Sequence, residues 1–212
     1  MAGRIEIDLF STLDGVMQAP GGPEEDPSGG FGFGGWQAPM NDEAVGTQVI
    51  EGIRRMDALL LGRRTYDIFA AYWPNQLVGD GGVENEIAAA FDAIPKYVAS
   101  RGEPDLSWGG SEHLGPDLPA AVRKVRDRHE KVVVVGSVDL VQTLLREQLF
   151  DRLDLWLHPI VLGTGKTVFS GGAVPTNLTL LAPPVASPKG SVHPQYGLAA
   201  GVPATGDMTT AG

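Results

Sequence analysis

The sequence contains no cysteine. That absence excludes disulfides, thiolate nucleophiles and any metal site built on thiolate, and it makes a cytoplasmic location the default expectation. No stretch reaches the eighteen or so consecutive apolar residues that a membrane helix needs. The first ten residues also lack the basic and apolar regions of a signal peptide, so no membrane association is expected. Positive charge is scarce: 16 Lys and Arg stand against 26 Asp and Glu, a formal net charge of −10. Nucleic acid and anionic membranes are polyanions and would be repelled by such a surface, so no nucleic-acid partner is expected. A phosphorylated ligand would have to be held locally, by a few arginines and backbone amides. No G-x-G-x-x-G stands between a strand and a helix, so a Rossmann fingerprint is not supported. Gly163-x-Gly165-Lys166 lacks the upstream glycine of a P-loop. The four histidines show no ligand spacing, and no metal is expected.

What is present is ordinary for a globular protein. The chain has 212 residues, 42% hydrophobic and 20% charged, enough to bury a substantial core as a single domain over 1–212. Arg4 to Phe10 alternates with period two and reads as a strand, with Ile5, Ile7 and Leu9 on one face. Asn41 to Met56 has helical period, with Asn41 or Asp42 as N-cap and Val45, Val49, Ile53 and Met56 on one face. Ala58–Leu61 and Val132–Val135 are short and wholly apolar, as in strands buried on both sides. Further strands are expected over Pro95–Ser100, Arg152–Leu162, Asn177–Ala182 and Val192–Ala200, and helices over Glu84–Ala93, Pro119–His129 and Val138–Gln148. Strands alternating with helices, then a strand-rich final third, predict an α/β fold: a mostly parallel sheet with an antiparallel C-terminal edge. The long segment Ala19 to Pro39 is rich in glycine yet carries Phe31, Phe33 and Trp36. It reads either as a lid over a ligand or as an excursion whose aromatics tuck into the core.

Ligands of open α/β sheets collect at the carboxyl ends of the strands, near helix N-termini that favour anions. Three such corners stand out. Gly62-Arg63-Arg64-Thr65 follows one apolar strand, with a glycine for close approach and two guanidinium groups for phosphate oxygens. Ser100-Arg101 follows a second strand, and Gly136-Ser137-Val138 turns a third into a helix whose first amides are unpaired. Any one corner has a bland reading as a routine turn or a solvated arginine pair. Three at equivalent strand ends suit a dinucleotide with a further ribose phosphate.

Five segments, in order, carry a resemblance: Ser11-Thr12-Leu13-Asp14-Gly15, Leu59 to Tyr66, Lys96 to Arg101, Val133 to Ser137, and His158 to Lys166. The chain resembles the dihydrofolate-reductase-like superfamily, and most closely the reductase (C-terminal) domain of the riboflavin-biosynthesis deaminase-reductase, as a stand-alone member. The resemblance implies a three-layer α/β/α sandwich and NADPH as hydride donor. It implies that Gly62, Arg63, Arg64 and Thr65 hold the adenosine side, that Ser100 and Arg101 lie beside the 2′-phosphate, and that Gly136, Ser137 and Val138 cradle the pyrophosphate. Ser137 departs from the commoner glycine pair. The deaminase half is missing, since its zinc motif needs cysteine, so the implied reaction is 5-amino-6-(5-phosphoribosylamino)uracil reductase-like hydride transfer to a heterocyclic substrate. The alternatives are dihydrofolate-reductase-like pterin reduction and a non-catalytic nucleotide-binding protein.

Hydride transfer often needs a proton donor near the accepting atom. Asp14, which the resemblance sets beside the nicotinamide, and Asp42 are the candidate catalytic acids. Glu43 at the same helix start and Glu51 further along the helix are the other acids in reach. Asp42 and Glu43 have a competing role as first-turn acids that complement the helix dipole, and Asp14-Gly15 can be a simple turn. Trp36 and Lys166 are the candidate substrate-binding residues, the former alternatively a core anchor and the latter a solvated loop lysine. The expected assembly is a homodimer built through the C-terminal strands.

Overall fold

Alternation along Arg4–Thr12 gives the central strand of the sheet rather than an edge. The structure, a computed structural model, describes residues 3–78, 81–169 and 173–207. In chain order its elements are β1 (Arg4–Thr12), α1 (Glu43–Ile53), β2 (Ala58–Gly62), α2 (Arg63–Tyr72), α3 (Val83–Ala93), β3 (Lys96–Ala99), β4 (Ser111–His113) and α4 (Leu118–Arg128). There follow β5 (Lys131–Val134), α5 (Val138–Arg146), β6 (Arg152–His158), β7 (Leu178–Leu180), β8 (Val185–Ala186), β9 (Val192–His193) and β10 (Gln195–Leu198). The strands form one sheet in the order β4-β3-β2-β5-β1-β6-β10-β7, with β9 also on β6 and β8 on β9. From β4 to β6 all neighbours are parallel, while β10, β7, β9 and β8 pair antiparallel. The expected mixed sheet with an antiparallel C-terminal edge is therefore what the chain forms.

Two boundaries differ from expectation for physical reasons. The strand expected over Arg152–Leu162 stops at His158, because Pro159 has no N–H for the ladder and Ile160 N turns back onto His158 O at 2.7 Å. The helix expected from Asn41 starts at Glu43, where Asp42 accepts from Val45 N at 2.9 Å as its N-cap. β4 escaped the sequence reading: three polar residues at a sheet edge show neither alternation nor an apolar run.

Each face of the sheet has its own core. Ile5, Ile7, Leu9, Ala58, Leu60, Val132, Val134, Leu153 and Leu155 point to one side, under α4 and α5. Leu59, Leu61, Val98 and Val133 point to the other, under Tyr66 of α2 and Phe91 of α3. The second face is covered only over β2, β3 and β5. Beneath β1 and β6 its positions are Glu6, Asp8 and Phe10, in register with Arg152, Asp154 and Trp156. Five of them, all but the buried Glu6, line a cleft instead of a core.

Leu60 is fully buried in the α4/α5 core. Leu60→Ala should cost about 2–5 kcal/mol in urea unfolding, and Leu60→Met under about 1.5, because cavity volume rather than polarity decides the difference.

Candidate active site

The three strand-end corners open on one cleft. It has a volume of ≈ 2380 Å³, and all nine residues expected at the corners line it: Gly62, Arg63, Arg64, Thr65, Ser100, Arg101, Gly136, Ser137 and Val138. Ordinary small-molecule pockets hold roughly 300–1,000 Å³, so this space exceeds what one small ligand fills. The first and third corners are locked together. Gly62 N donates to Gly136 O at 3.0 Å, and a Cβ on Gly62 would collide with the Ser137 hydroxyl and lie 2.8 Å from its amide nitrogen. Gly136 has φ +138°, and a Cβ there would lie 2.7 Å from Thr65 Oγ1. Both positions therefore demand glycine. The helices that begin here, α2 and α5, have Gly62 and Ser137 as N-caps, and neither receives a side-chain capping bond. Their first amides thus receive no capping side chain, and the positive ends of both helix dipoles lie at this end of the cleft.

The cations divide unequally. Arg63 Nε donates to both carboxylate oxygens of Asp67 at 2.8 Å, and its Nη1 reaches Glu103 O at 3.4 Å. Arg101 meets Asp139 only at 4.0 Å, with its side chain 96% exposed. Arg64 is exposed and makes no ion pair among the described residues. Arg64 and Arg101 are thus the cations available to a phosphate.

The floor is a chain of charges across three strands. Lys131 Nζ meets Glu6 Oε2 at 3.0 Å, and Arg152 Nη2 meets the same oxygen at 2.8 Å. Arg152 Nε then donates to Asp154 Oδ2 at 2.5 Å, and Asp154 Oδ1 accepts from His193 at 3.0 Å and Gln195 at 2.7 Å. Asp8 sits beside Asp154 in register and makes no ion pair among the described residues; its one hydrogen bond is from Trp156 Nε1 to Oδ1 at 2.7 Å. Burial, then repulsion from Asp154, push the Asp8 carboxyl up to about 6, against smaller opposing effects of Trp156, His193 and Arg152. Burial alone would also raise Asp154, but the His193 hydrogen bond and Arg152 bring it below the usual carboxylate range. Two adjacent carboxyls are pushed in opposite directions, the arrangement that separates an acid from a base.

The two candidate acids from the sequence sit elsewhere. Asp14 is exposed and outside the cleft lining. It accepts from Thr12 Oγ1 at 2.5 Å and from Gly163 N at 2.7 Å, fastening the turn after β1 to the segment after β6. Those bonds stabilise the carboxylate and lower its pKa, the opposite of what a proton donor needs. Asp42 caps α1 and also accepts from Lys189 N at 3.3 Å. Its pKa is lowered by the Val45 amide and by Ser187, and it too lies outside the cleft lining. Of the acids considered on α1, Glu51 lines the cleft, with Arg55 beside it at 3.6 Å.

Trp36 does not reach the cleft either. Its ring is buried with Val16, Ala19 and Phe31, edge-on to His158, and its Nε1 donates to Gln18 O at 2.8 Å. The reading of tucked aromatics describes Trp36 and Phe31, whereas Phe33 is 48% exposed. The first part of the same segment, Ala19 to Asp26, walls the cleft. Lys166 does line the cleft, but its ammonium is engaged by Asp26 and by Ser28 Oγ. Burial opposes ionisation of Asp26, and Lys166 together with the Ser28 hydrogen bonds more than offsets it.

Asp8, Asp154 and Trp156 are the residues that sequence reasoning missed. The signal was the acid between apolar residues on a strand that proves to be central. Because the folded Asp8 value lies above the unfolded 3.8, the native state holds a proton that the unfolded chain releases. Its stabilising contribution is complete below pH 3.8 and is lost as pH rises through about 6. Asp8→Asn should therefore gain on the wild type by about 1–3 kcal/mol between pH 4.5 and 7.5, read from urea unfolding at the two pH values. An identical pH dependence in both proteins would show that Asp8 is ionised like a surface carboxylate.

Comparison with known proteins agrees with this architecture. A family model described as the RibD C-terminal domain matches residues 4–183. The uncharacterized protein YyaP of Bacillus subtilis (strain 168) is 26% identical over 171 residues, 78% of this chain and 80% of that one. Among solved structures, a putative riboflavin biosynthesis protein from Shewanella sp. PV-4 superposes with a TM-score of 0.68 at 17% identity, covering 94% of this chain and 100% of the other. Dihydrofolate reductase from Enterococcus faecalis, complexed with NADP(H) and RAB-propyl, gives 0.57 at 15% identity, over 93% and 98% of the two chains. At such identities the likeness to solved structures is one of fold, and the fold is dihydrofolate-reductase-like. The family match extends over most of the sequence, and the chain belongs to the RibD C-terminal domain family.

Proposed function

We propose that this chain is an NADPH-dependent reductase of the riboflavin-biosynthesis type, transferring hydride to a heterocyclic substrate. The observation that carries the reading is the convergence of three corners, far apart in sequence, on one cleft large enough for two ligands. The fit to a dinucleotide rests on the chain's own groups. Gly62 and Gly136 leave a cradle that any Cβ would fill, and the uncapped N-termini of α2 and α5 point amides at it. Arg64, without an ion pair among the described residues, and Arg101, met only by Asp139 at 4.0 Å, supply the positive charge, with Arg101 and Ser100 at the strand end where a 2′-phosphate would be read. Gly136, Ser137 and Val138 would hold the pyrophosphate, and Gly62 to Thr65 the adenosine side. A bound NADPH supplies the hydride.

The rest of the work is done by the walls. Val49, Ile53 and Phe10, with the loop from Met17 to Asp26, line the cleft and exclude water from the face of a flat heterocycle. The apolar face expected for α1 thus serves partly as a cleft wall, since only Val45 on α1 itself is fully buried.

Titrating the protein with NADPH and NADH by tryptophan quenching tests the reading. NADPH should bind more tightly. Arg64→Ala and Arg101→Ala should each cost about 1–3 kcal/mol of NADPH affinity, Arg101→Ala without a matching loss for NADH. Arg63→Ala should cost less, because Asp67 already neutralises that guanidinium. Absence of NADPH binding would overturn the proposal.

A further inference from the structure

We propose that His113 is the positioning residue of the Ser100-Arg101 corner, and that it sets how strongly a 2′-phosphate is preferred there over a bare ribose. The inference rests on the reading of that corner as the place where a 2′-phosphate is read, and it adds the group that holds the corner in shape.

The edge strand β4 carries three polar residues, none of them fully buried, so a share in the core does not account for it. What β4 does is set His113 in register with Val98, with Leu114 N donating to Val98 O at 3.0 Å. From there the imidazole reaches the residue just past the end of β3: His113 Nε2 lies 3.1 Å from Ser100 O. A carbonyl oxygen only accepts, so Nε2 carries the hydrogen and donates. Ser100 Oγ in turn accepts from Gly102 N at 3.3 Å. The other ring nitrogen, Nδ1, faces Glu103 Oε2 at 3.7 Å. One side chain thus spans the turn from Ser100 to Glu103. His113 is 19% exposed and lies outside the cleft lining, so it acts on a ligand through the turn and not by contact.

The other side of the turn is tied as well. Arg63, oriented by Asp67, extends Nη1 to Glu103 O at 3.4 Å. Further along, the buried Trp108 donates its amide to Tyr66 Oη at 3.1 Å, and Lys96 Nζ donates to Gly109 O at 3.0 Å. Between these anchors Arg101 projects into solvent, 4.0 Å from Asp139.

An arginine so exposed has no packing of its own, and its aim depends on the backbone beneath it. Ordering a loose turn and a rotamer-rich side chain at the moment of binding weakens affinity, whereas a turn already held avoids most of that loss. The loss falls on a ligand that engages Arg101 and spares one that does not. NADPH carries a phosphate to this turn and NADH carries a hydroxyl. His113 therefore separates the two nucleotides without touching either.

The test uses the full chain and two variants. His113→Phe keeps a ring at the position without a donor, and His113→Gln restores a donor near the place of Nε2. Tryptophan quenching should show NADPH binding about 3- to 10-fold weaker in His113→Phe, as for one lost hydrogen bond. NADH affinity should stay within about twofold, which also shows that the variant folds. Adenosine 2′,5′-bisphosphate should follow NADPH, which assigns the effect to the phosphate and not to the nicotinamide. His113→Gln should recover most of the loss. Without any nucleotide, amide exchange at Arg101 and Gly102 should be faster in His113→Phe than in the wild type, and near the wild-type rate in His113→Gln. An equal loss of NADPH and NADH, or an undiminished NADPH affinity in His113→Phe, overturns the assignment. Exchange that is the same in all three proteins overturns it whatever binds. A wild type that binds neither nucleotide removes the reductase reading, and faster exchange in His113→Phe alone would then still support His113 as the brace of the turn.

Discussion

The structure depends on how it accommodates charge on its central strand. β1 is flanked by parallel partners on both sides, and one of its faces is sealed under α4 and α5 by Ile5, Ile7 and Leu9. Its other face carries Glu6 and Asp8, and an isolated buried carboxylate costs far more than any single contact returns. The neighbouring strands answer at matching register. Lys131 and Arg152 flank Glu6, and Arg152 continues to Asp154. Such a network contributes little net stability over an apolar core, yet removing one member leaves an uncompensated charge. Its consequence is spatial: a helix cannot pack on a charged floor, so the second face stays open beneath β1 and β6, and the cleft forms there.

The same constraint explains the division of labour within the cleft. At the strand ends, charge is supplied by backbone amides and by exposed Arg64 and Arg101, which suits a ligand bearing phosphates. On the floor, each cation is matched to an anion, leaving Asp8 as the group without an ion-pair partner among the described residues. A chain with formal net charge −10 repels polyanions at long range, and the strand-end corners counter this only over the few ångströms where helix dipoles and arginines act. Burial, and after it repulsion from Asp154, raise the Asp8 carboxyl above the usual carboxylate range.

Much of this architecture was legible in the sequence because it is written in local patterns. Wholly apolar runs announced β2 and β5, period-two alternation announced β1 and β6, and glycines beside arginines or hydroxyls at strand ends marked the corners. The illegible parts depend on tertiary neighbours. Asp14 was singled out by the resemblance and Asp42 by its place at a helix start, but their carboxylates accept from backbone amides of distant segments, the 162–163 turn and Lys189. Trp36 looked like a ligand platform because it ends a glycine-rich loop, and only the packing of Val16, Ala19 and Phe31 around it reveals an anchor. Asp8 was passed over for the converse reason. On an edge strand, alternating acids face water and need no explanation; on a central strand of a doubly covered sheet they must line a cavity or be paired.

That distinction sharpens what alternation can tell. Two segments of this chain, Arg4–Phe10 and Arg152–His158, share the same pattern of apolar residues separated by charged or aromatic ones. Side by side in parallel register, they place Asp8 against Asp154 and Phe10 against Trp156. The pairing turns two unremarkable strands into a carboxyl pair flanked by an aromatic pair. Neither strand alone specifies that arrangement, because a shift of one residue in register would send the acids into the apolar core. The apolar set Ile5, Ile7, Leu9, Leu153 and Leu155 excludes such a shift, so the hydrophobic core on one face of the sheet fixes the geometry of the acid on the other.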